Sequence, residues 1–119
     1  MELNKKEIEA KGIKISLVEN GKELGRATLY LMTNDLHPEP FGLLEDVYVD
    51  EELRGQGIGT KLINQVIEEA KANHCYKLLA TSRYARTRVH ELYLKLGFED
   101  YGKEFRMEFW FFTQNKCQC

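Results

Sequence analysis

The stretch VDEELRGQGIGTKLINQVIEEA, Val49 to Ala70, decides how the chain is read: glycines stand at 55, 57 and 59, and a helical pattern follows at once. Ile58, Leu62, Ile63, Val66, Ile67 and Ala70 recur at three-and-four spacing, which predicts one buried stripe on a helix. Lys61, Asn64, Gln65, Glu68 and Glu69 take the other side. Glycine lets backbone approach a ligand closely and tolerates positive φ, while a helix start offers free N–H groups at the positive end of its dipole. Together these make a cradle for a pyrophosphate, to which Arg54 adds a cation and Thr60 a hydroxyl donor. A strand-to-helix turn that needs glycines for geometry alone explains the same residues, and at this point both readings stand.

Outward from this stretch, the order of elements narrows the choice. GIKISLVENGKELGRATLYLM predicts strands at Ile13 to Val18 and Glu23 to Met32 around Asn20-Gly21, a strong hairpin signal. TNDLHPEP holds both prolines and is expected to break the sheet, with FGLLEDVYV as a third strand. Inside it, the adjacent carboxylates Glu45 and Asp46 are expected on opposite faces. CYKLLATS predicts a short buried strand, parallel to the third because a helix lies between them. ARTRVHELYLKLGF predicts a second helix with Val89, Leu92, Tyr93 and Leu96 on one face, stopped by Gly97. EFRMEFWFF is expected to close the chain as a strand. The fold class is α/β of the α+β kind: a mixed, mostly antiparallel sheet with a central parallel pair and two packed helices, in one domain over residues 1–119.

Composition bounds the function. With 43% apolar and 30% charged residues and a net charge of -2, the chain is neither disordered nor suited to nucleic acid. The charged MELNKKEIEAKG has no signal-peptide core, and no apolar run approaches the roughly 20 residues of a membrane span, so a cytoplasmic protein is expected. Cys75, Cys117 and Cys119 are read as reduced thiols and no metal site is expected. A Walker A loop needs a lysine before the Ser/Thr, and here Thr60 precedes Lys61. A dinucleotide fingerprint should open a first βαβ unit, whereas this chain spends three strands first.

RGQGIG, Arg54 to Gly59, resembles the R/Q-x-x-G-x-G/A motif of the GNAT superfamily of acyl-CoA-dependent N-acyltransferases. LYLKLGF, Leu92 to Phe98, is similar to the family's Y-x-x-x-G-F helix ending, one helix and one strand later. LLEDVYV and CYKLL show some likeness to glucosamine-6-phosphate N-acetyltransferases. The resemblance implies acetyl-CoA as co-substrate and a primary amine as acceptor, attacked directly in a ternary complex. It implies that the backbone of Val47, Tyr48 and Val49 pairs with the pantetheine arm, with the Val47 amide polarising the thioester carbonyl. The amides of Gly55, Gln56, Gly57, Ile58, Gly59 and Thr60 would take the pyrophosphate beside Arg54.

Tyr93 matches the family tyrosine that protonates the departing thiolate, although an aromatic on a helix stripe also suits the core. Glu45, or Asp46, is the candidate to assist the amine; a solvated strand carboxylate is the plain alternative. His90 stands where it could edge the same cleft or serve as a solvated histidine. Many relatives carry an asparagine seven residues before the tyrosine, and here Arg86 takes that place among Arg83 and Arg88, reaching CoA, an acidic substrate or solvent. Relatives also wall the acceptor site with one or two helices between their first strands, where this chain has only ENGK. An open pocket for a protein amine, or a wall from a second subunit, would follow. The run Phe109 to Phe112 suggests a homodimer built on the last strand. A non-catalytic CoA-binding or regulatory module of the same fold is the alternative function.

Overall fold

The structure, a computed structural model, describes residues 1–110 and divides into two compact units, Met1–Ala80 and the residues from Thr81 onward. The first unit holds β1 (Ala10–Glu19), β2 (Lys22–Asn34), β3 (His37–Val49), a 3-10 turn (Glu51–Leu53), α1 (Ile58–Ala72) and β4 (Leu78–Ala80). The sheet order is β1-β2-β3-β4, antiparallel except for the parallel β3–β4 pair. Asn20 and Gly21 both have positive φ, 51° and 77°, as the predicted hairpin turn requires.

Alternation along β2 sorts the sheet into two faces. Ala27, Leu29 and Leu31 of β2 and Leu44 of β3 are buried with Leu62, Ile63, Val66 and Ala70 of α1. A Cβ on Gly25, which shares their parity, would lie 3.1 Å from the Leu62 side chain, so this face is the one under the helix. The predicted stripe is thus the buried one, and each fully buried Leu, Ile or Val contributes about 1.5–3 kcal/mol. On the other face Thr28 pairs with Glu45, and Arg26 with Tyr48.

Three expectations are corrected. The prolines do not break the sheet: β3 begins at His37 and includes Pro38 and Pro40. The Pro40 carbonyl accepts from the Tyr76 amide at 3.0 Å, away from β2, so the missing proline donor faces that side too and β2 loses no bond there. The strand in CYKLLATS is only three residues, and Leu79 in its middle is exposed. Lastly, residues 98–110 contain no helix or strand, so the closing strand does not form over Glu104 to Trp110; Phe111, Phe112, Cys117 and Cys119 lie outside the described residues. Arg106 instead ion-pairs with Glu104 at 2.8 Å and lies 3.9 Å from Glu108, within its own segment.

The second unit is organised by α2 (Thr87–Lys95) and its C-terminal cap. The Phe98 amide donates to the Tyr93 carbonyl at 2.9 Å and the Gly97 amide to that of Leu94 at 3.2 Å. With Gly97 at φ 104° this is a Schellman cap, and the Tyr93 and Phe98 rings, 5.2 Å apart, make its apolar contact.

If the α1 face is the core, Leu29→Ala should cost about 2–5 kcal/mol, while Leu36→Ala, at 84% exposure, should change stability by no more than about 0.5 kcal/mol. Urea unfolding followed by circular dichroism compares them, and equal losses would overturn the assignment.

Candidate functional site

The first unit gathers its candidates where β3 leaves the ladder. The register passes from Thr28↔Glu45 to Arg26↔Tyr48, so Ala27 alone on β2 faces both Asp46 and Val47 on β3. This is a β-bulge, and its first residue, Asp46, has φ 53°. Aspartate is among the few non-glycine residues that tolerate this region. The strict alternation expected of Glu45 and Asp46 therefore stops at Asp46, whose carboxylate turns to Arg26. Arg26 Nε donates to it at 2.8 Å and Nη2 at 3.3 Å. The Asp46 carboxylate holds the Arg26 guanidinium above its ordinary pKa, and Glu23, 3.5 Å from Arg26, adds to this.

The extra residue also puts Glu45 and Tyr48, three apart, on the same sheet face. β4 pairs only with Gly42, Leu43 and Leu44. Past Leu44, β3 thus has no β4 partner among the described residues, and the backbone of Val47 to Val49 is the part of the strand to which an extended ligand could add as a further strand.

The glycine loop follows directly. Gly55 and Gly57 have φ of 85° and 80°, and Gly57 is the N-cap of α1 without any side-chain cap. The amides of Ile58, Gly59 and Thr60 thus have no partner inside the helix and none from a capping side chain. A Cβ at Gly55 or Gly57 would meet nothing within 4 Å, so the backbone there is bare. Arg54 donates from Nε to the Val49 carbonyl at 3.1 Å, and its guanidinium lies 5.8 Å from the Tyr48 ring centroid. The Arg26 guanidinium lies 4.7 Å from the same ring. No carboxylate among the described residues pairs with Arg54, so its charge is not offset by an ion pair there.

Backbone geometry therefore divides the three glycines. Gly55 and Gly57 are fixed by positive φ, whereas Gly59 lies in the helix with room for a Cβ 3.7 Å from Val49. The acids before the loop are structural or solvated: Asp50 pairs with Lys22 at 3.4 Å, and Glu51 and Glu52 are exposed.

In the second unit Tyr93 is half-buried on α2 and Arg86 is the exposed N-cap residue just before it. His90 Nε2 lies 2.8 Å from the Arg83 carbonyl. A carbonyl only accepts, so Nε2 carries the proton, and the imidazole ties the turn before α2 to the helix. Arg26 and the Tyr48 ring were not among the residues singled out from sequence. Arg26 stands 20 residues before Asp46 in another strand, and no local pattern marks the pair.

Gly57→Ala should cost about 1–2 kcal/mol because alanine is strained at positive φ, whereas Gly59→Ala, in a helix, should be neutral or stabilising by up to about 1 kcal/mol. Urea melts of both variants check this. Similar losses at the two positions would show that φ is not what requires glycine.

The profile of the Acetyltransferase (GNAT) family matches residues 2–98. Over 57 residues the chain is 44% identical to a thialysine N-epsilon-acetyltransferase of Bos taurus, covering 48% of this chain and 34% of that protein. Over 67 residues it is 34% identical to a glucosamine 6-phosphate N-acetyltransferase of Trypanosoma brucei brucei, covering 56% and 44% respectively. The chain thus spans between a third and a half of the length of these relatives. Among solved structures, an acetyltransferase of Trypanosoma brucei superposes with a TM-score of 0.77 at 27% identity, covering 82% of this chain and 69% of that one. A profile match over most of the sequence, on a sheet with the expected parallel pair and glycine loop, places this chain in the GNAT acetyltransferase family.

Proposed function

We propose that this chain is an N-acetyltransferase that moves the acetyl group of acetyl-CoA to a primary amine. The observation that carries the reading is the uncapped start of α1 behind Gly55 and Gly57, immediately after a strand end that has left its β4 neighbour. GNAT acetyltransferases use acetyl-CoA as co-substrate, and two parts of that molecule find suitable groups here. The amides of Gly55 to Thr60 with Arg54 suit a pyrophosphate, and the backbone of Val47 to Val49 suits the amide-bearing pantetheine arm. In this reading the Val47 amide polarises the thioester carbonyl. The family match runs from residue 2 to 98 and so supports reading both units as parts of one acetyltransferase domain.

The transfer forms a C–N bond and breaks a C–S bond. The attacking amine must first lose a proton, and Glu45 is the group assigned to receive it, directly or through water. Asp46 is the weaker candidate because its carboxylate is already held by Arg26. Tyr93, which carries the family motif, is assigned the proton given to the departing thiolate, and Arg86 a contact with CoA. The acceptor is a small-molecule or protein amine; the relatives named above are called acetyltransferases of thialysine and of glucosamine 6-phosphate, both primary amines.

A homodimer belongs to the same reading, supported by the high exposure of Phe105, Met107, Phe109 and Trp110. The free thiol of Cys75 suits the reducing cytoplasm.

Free-thiol release from acetyl-CoA, measured across a panel of lysine analogues, amino sugars, aminoglycosides and peptides, tests the activity. Turnover with at least one class is expected, and no thiol release with any would refute the reading. Tyr93→Phe and Glu45→Gln should each lower kcat by about a hundredfold or more while CoA still binds. An unchanged kcat would remove that residue from the mechanism. Light scattering after size-exclusion chromatography should give twice the 13.9 kDa chain mass, and a monomer would refute the dimer.

A further inference from the structure

Asp46, Arg26, Tyr48 and Arg54 form one connected cluster within the first unit. Asp46 holds Arg26 through two hydrogen bonds, at 2.8 and 3.3 Å. Arg26 lies over the Tyr48 ring at 4.7 Å, and Arg54 over the same ring at 5.8 Å. Arg54 is further fixed by its bond to the Val49 carbonyl at 3.1 Å. The cluster thus runs from the bulge in β3 to the first residue of the glycine loop. Arg54 is otherwise exposed and carries no ion pair among the described residues, so the ring and the Val49 carbonyl are what limit the rotamers its long side chain would lose on meeting an anion.

We propose that Asp46, Arg26 and Tyr48 are positioning residues for coenzyme A: the carboxylate fixes Arg26, Arg26 fixes the Tyr48 ring, and the ring pre-orders Arg54 to receive the pyrophosphate. This rests on the reading of the glycine loop as the coenzyme A site, and it assigns Asp46 a role other than proton transfer. The connection is intelligible from charge. Asp46 and Glu23 offset Arg26, so one guanidinium can share the ring with a second without the pair adding two uncompensated charges. The bulge supplies the geometry, since it is the left-handed Asp46 that lets a β3 carboxylate reach Arg26 on β2 while Tyr48 stays on the Arg26 face.

The sign of the effect separates this from simpler electrostatics. The substitution Asp46→Asn keeps the left-handed backbone, which asparagine tolerates, while losing the charge. Removing a carboxylate near a pyrophosphate site should by itself tighten coenzyme A binding, whereas loss of positioning should weaken it.

Titration calorimetry with coenzyme A on the full chain and on Asp46→Asn, Arg54→Ala and the double variant forms the test. Asp46→Asn should weaken binding about three- to tenfold, and in the Arg54→Ala background it should have no effect. Tyr48→Leu, at a half-exposed position that tolerates the change, should behave in the same way. The pH profile of kcat should keep its midpoint in Asp46→Asn. Tighter or unchanged binding, a loss of the same size with and without Arg54, or a shifted pH midpoint would overturn the proposal. Failure of the unaltered chain to bind coenzyme A would instead overturn the cofactor site itself, and this proposal with it.

Discussion

The site depends on one interruption in a hydrogen-bonded ladder. A regular β3 would alternate through Glu45, Asp46, Val47 and Tyr48, sending Glu45 and Tyr48 to opposite faces. The two-for-one pairing opposite Ala27 instead keeps both on the face away from α1 and leaves Ala27 in the core. A non-glycine residue at φ 53° carries a backbone cost, so the bulge persists only because its surroundings fix it. The two bonds from Arg26 to Asp46 are the visible compensation, and they cross between the strands at the point where the register shifts. Both partners are about a third exposed or more, which makes their value one of geometry more than of energy.

Everything downstream inherits its position from that point. β3 ends against β2 at Val49↔Gly25, and Gly25 also lies under α1, since a Cβ there would meet the Leu62 side chain and the Tyr48 carbonyl at 3.1 Å. The apolar stripe of α1 then fixes the helix rotation, and through it the direction in which the free amides of Ile58 to Thr60 point. Core packing and the bearing of these amides are thus set by the same few residues: the helix cannot be rotated to improve one without moving the other. A short loop of bare backbone is thus held in its orientation by the apolar packing of α1.

What could be read from sequence follows the range of the interactions. The hairpin at Asn20-Gly21, the stripe of α1 and the stop at Gly97 are local, and periodicity or turn chemistry exposes them. The parallel pairing of β4 with β3 could be inferred because a helix lies between them. The bulge could not, since nothing in LLEDVYV distinguishes a straight strand from one that gains a residue; the cause lies in Arg26, in another strand. The prolines misled for a related reason, because a proline is tolerated where its nitrogen faces away from the ladder, and only the pairing shows which side that is. In the C-terminal run, alternating polar and apolar residues imitate a strand, yet a strand needs a partner edge, which composition cannot supply.

The tyrosine motif shows how far a structural explanation of a family signature can go. Gly97 is required by its φ of 104°, and Phe98 by the contact that its ring makes with Tyr93 across the cap. The cap uses the Tyr93 carbonyl and ring, both of which phenylalanine would supply equally well. Two of the three signature residues are therefore accounted for by helix termination, and so is the aromatic character of the third. The cap itself makes no use of the hydroxyl. A single substitution therefore separates the two halves of the motif: Tyr93→Phe keeps the carbonyl and the ring that terminate α2 and removes only the oxygen, so what changes with it is not helix termination.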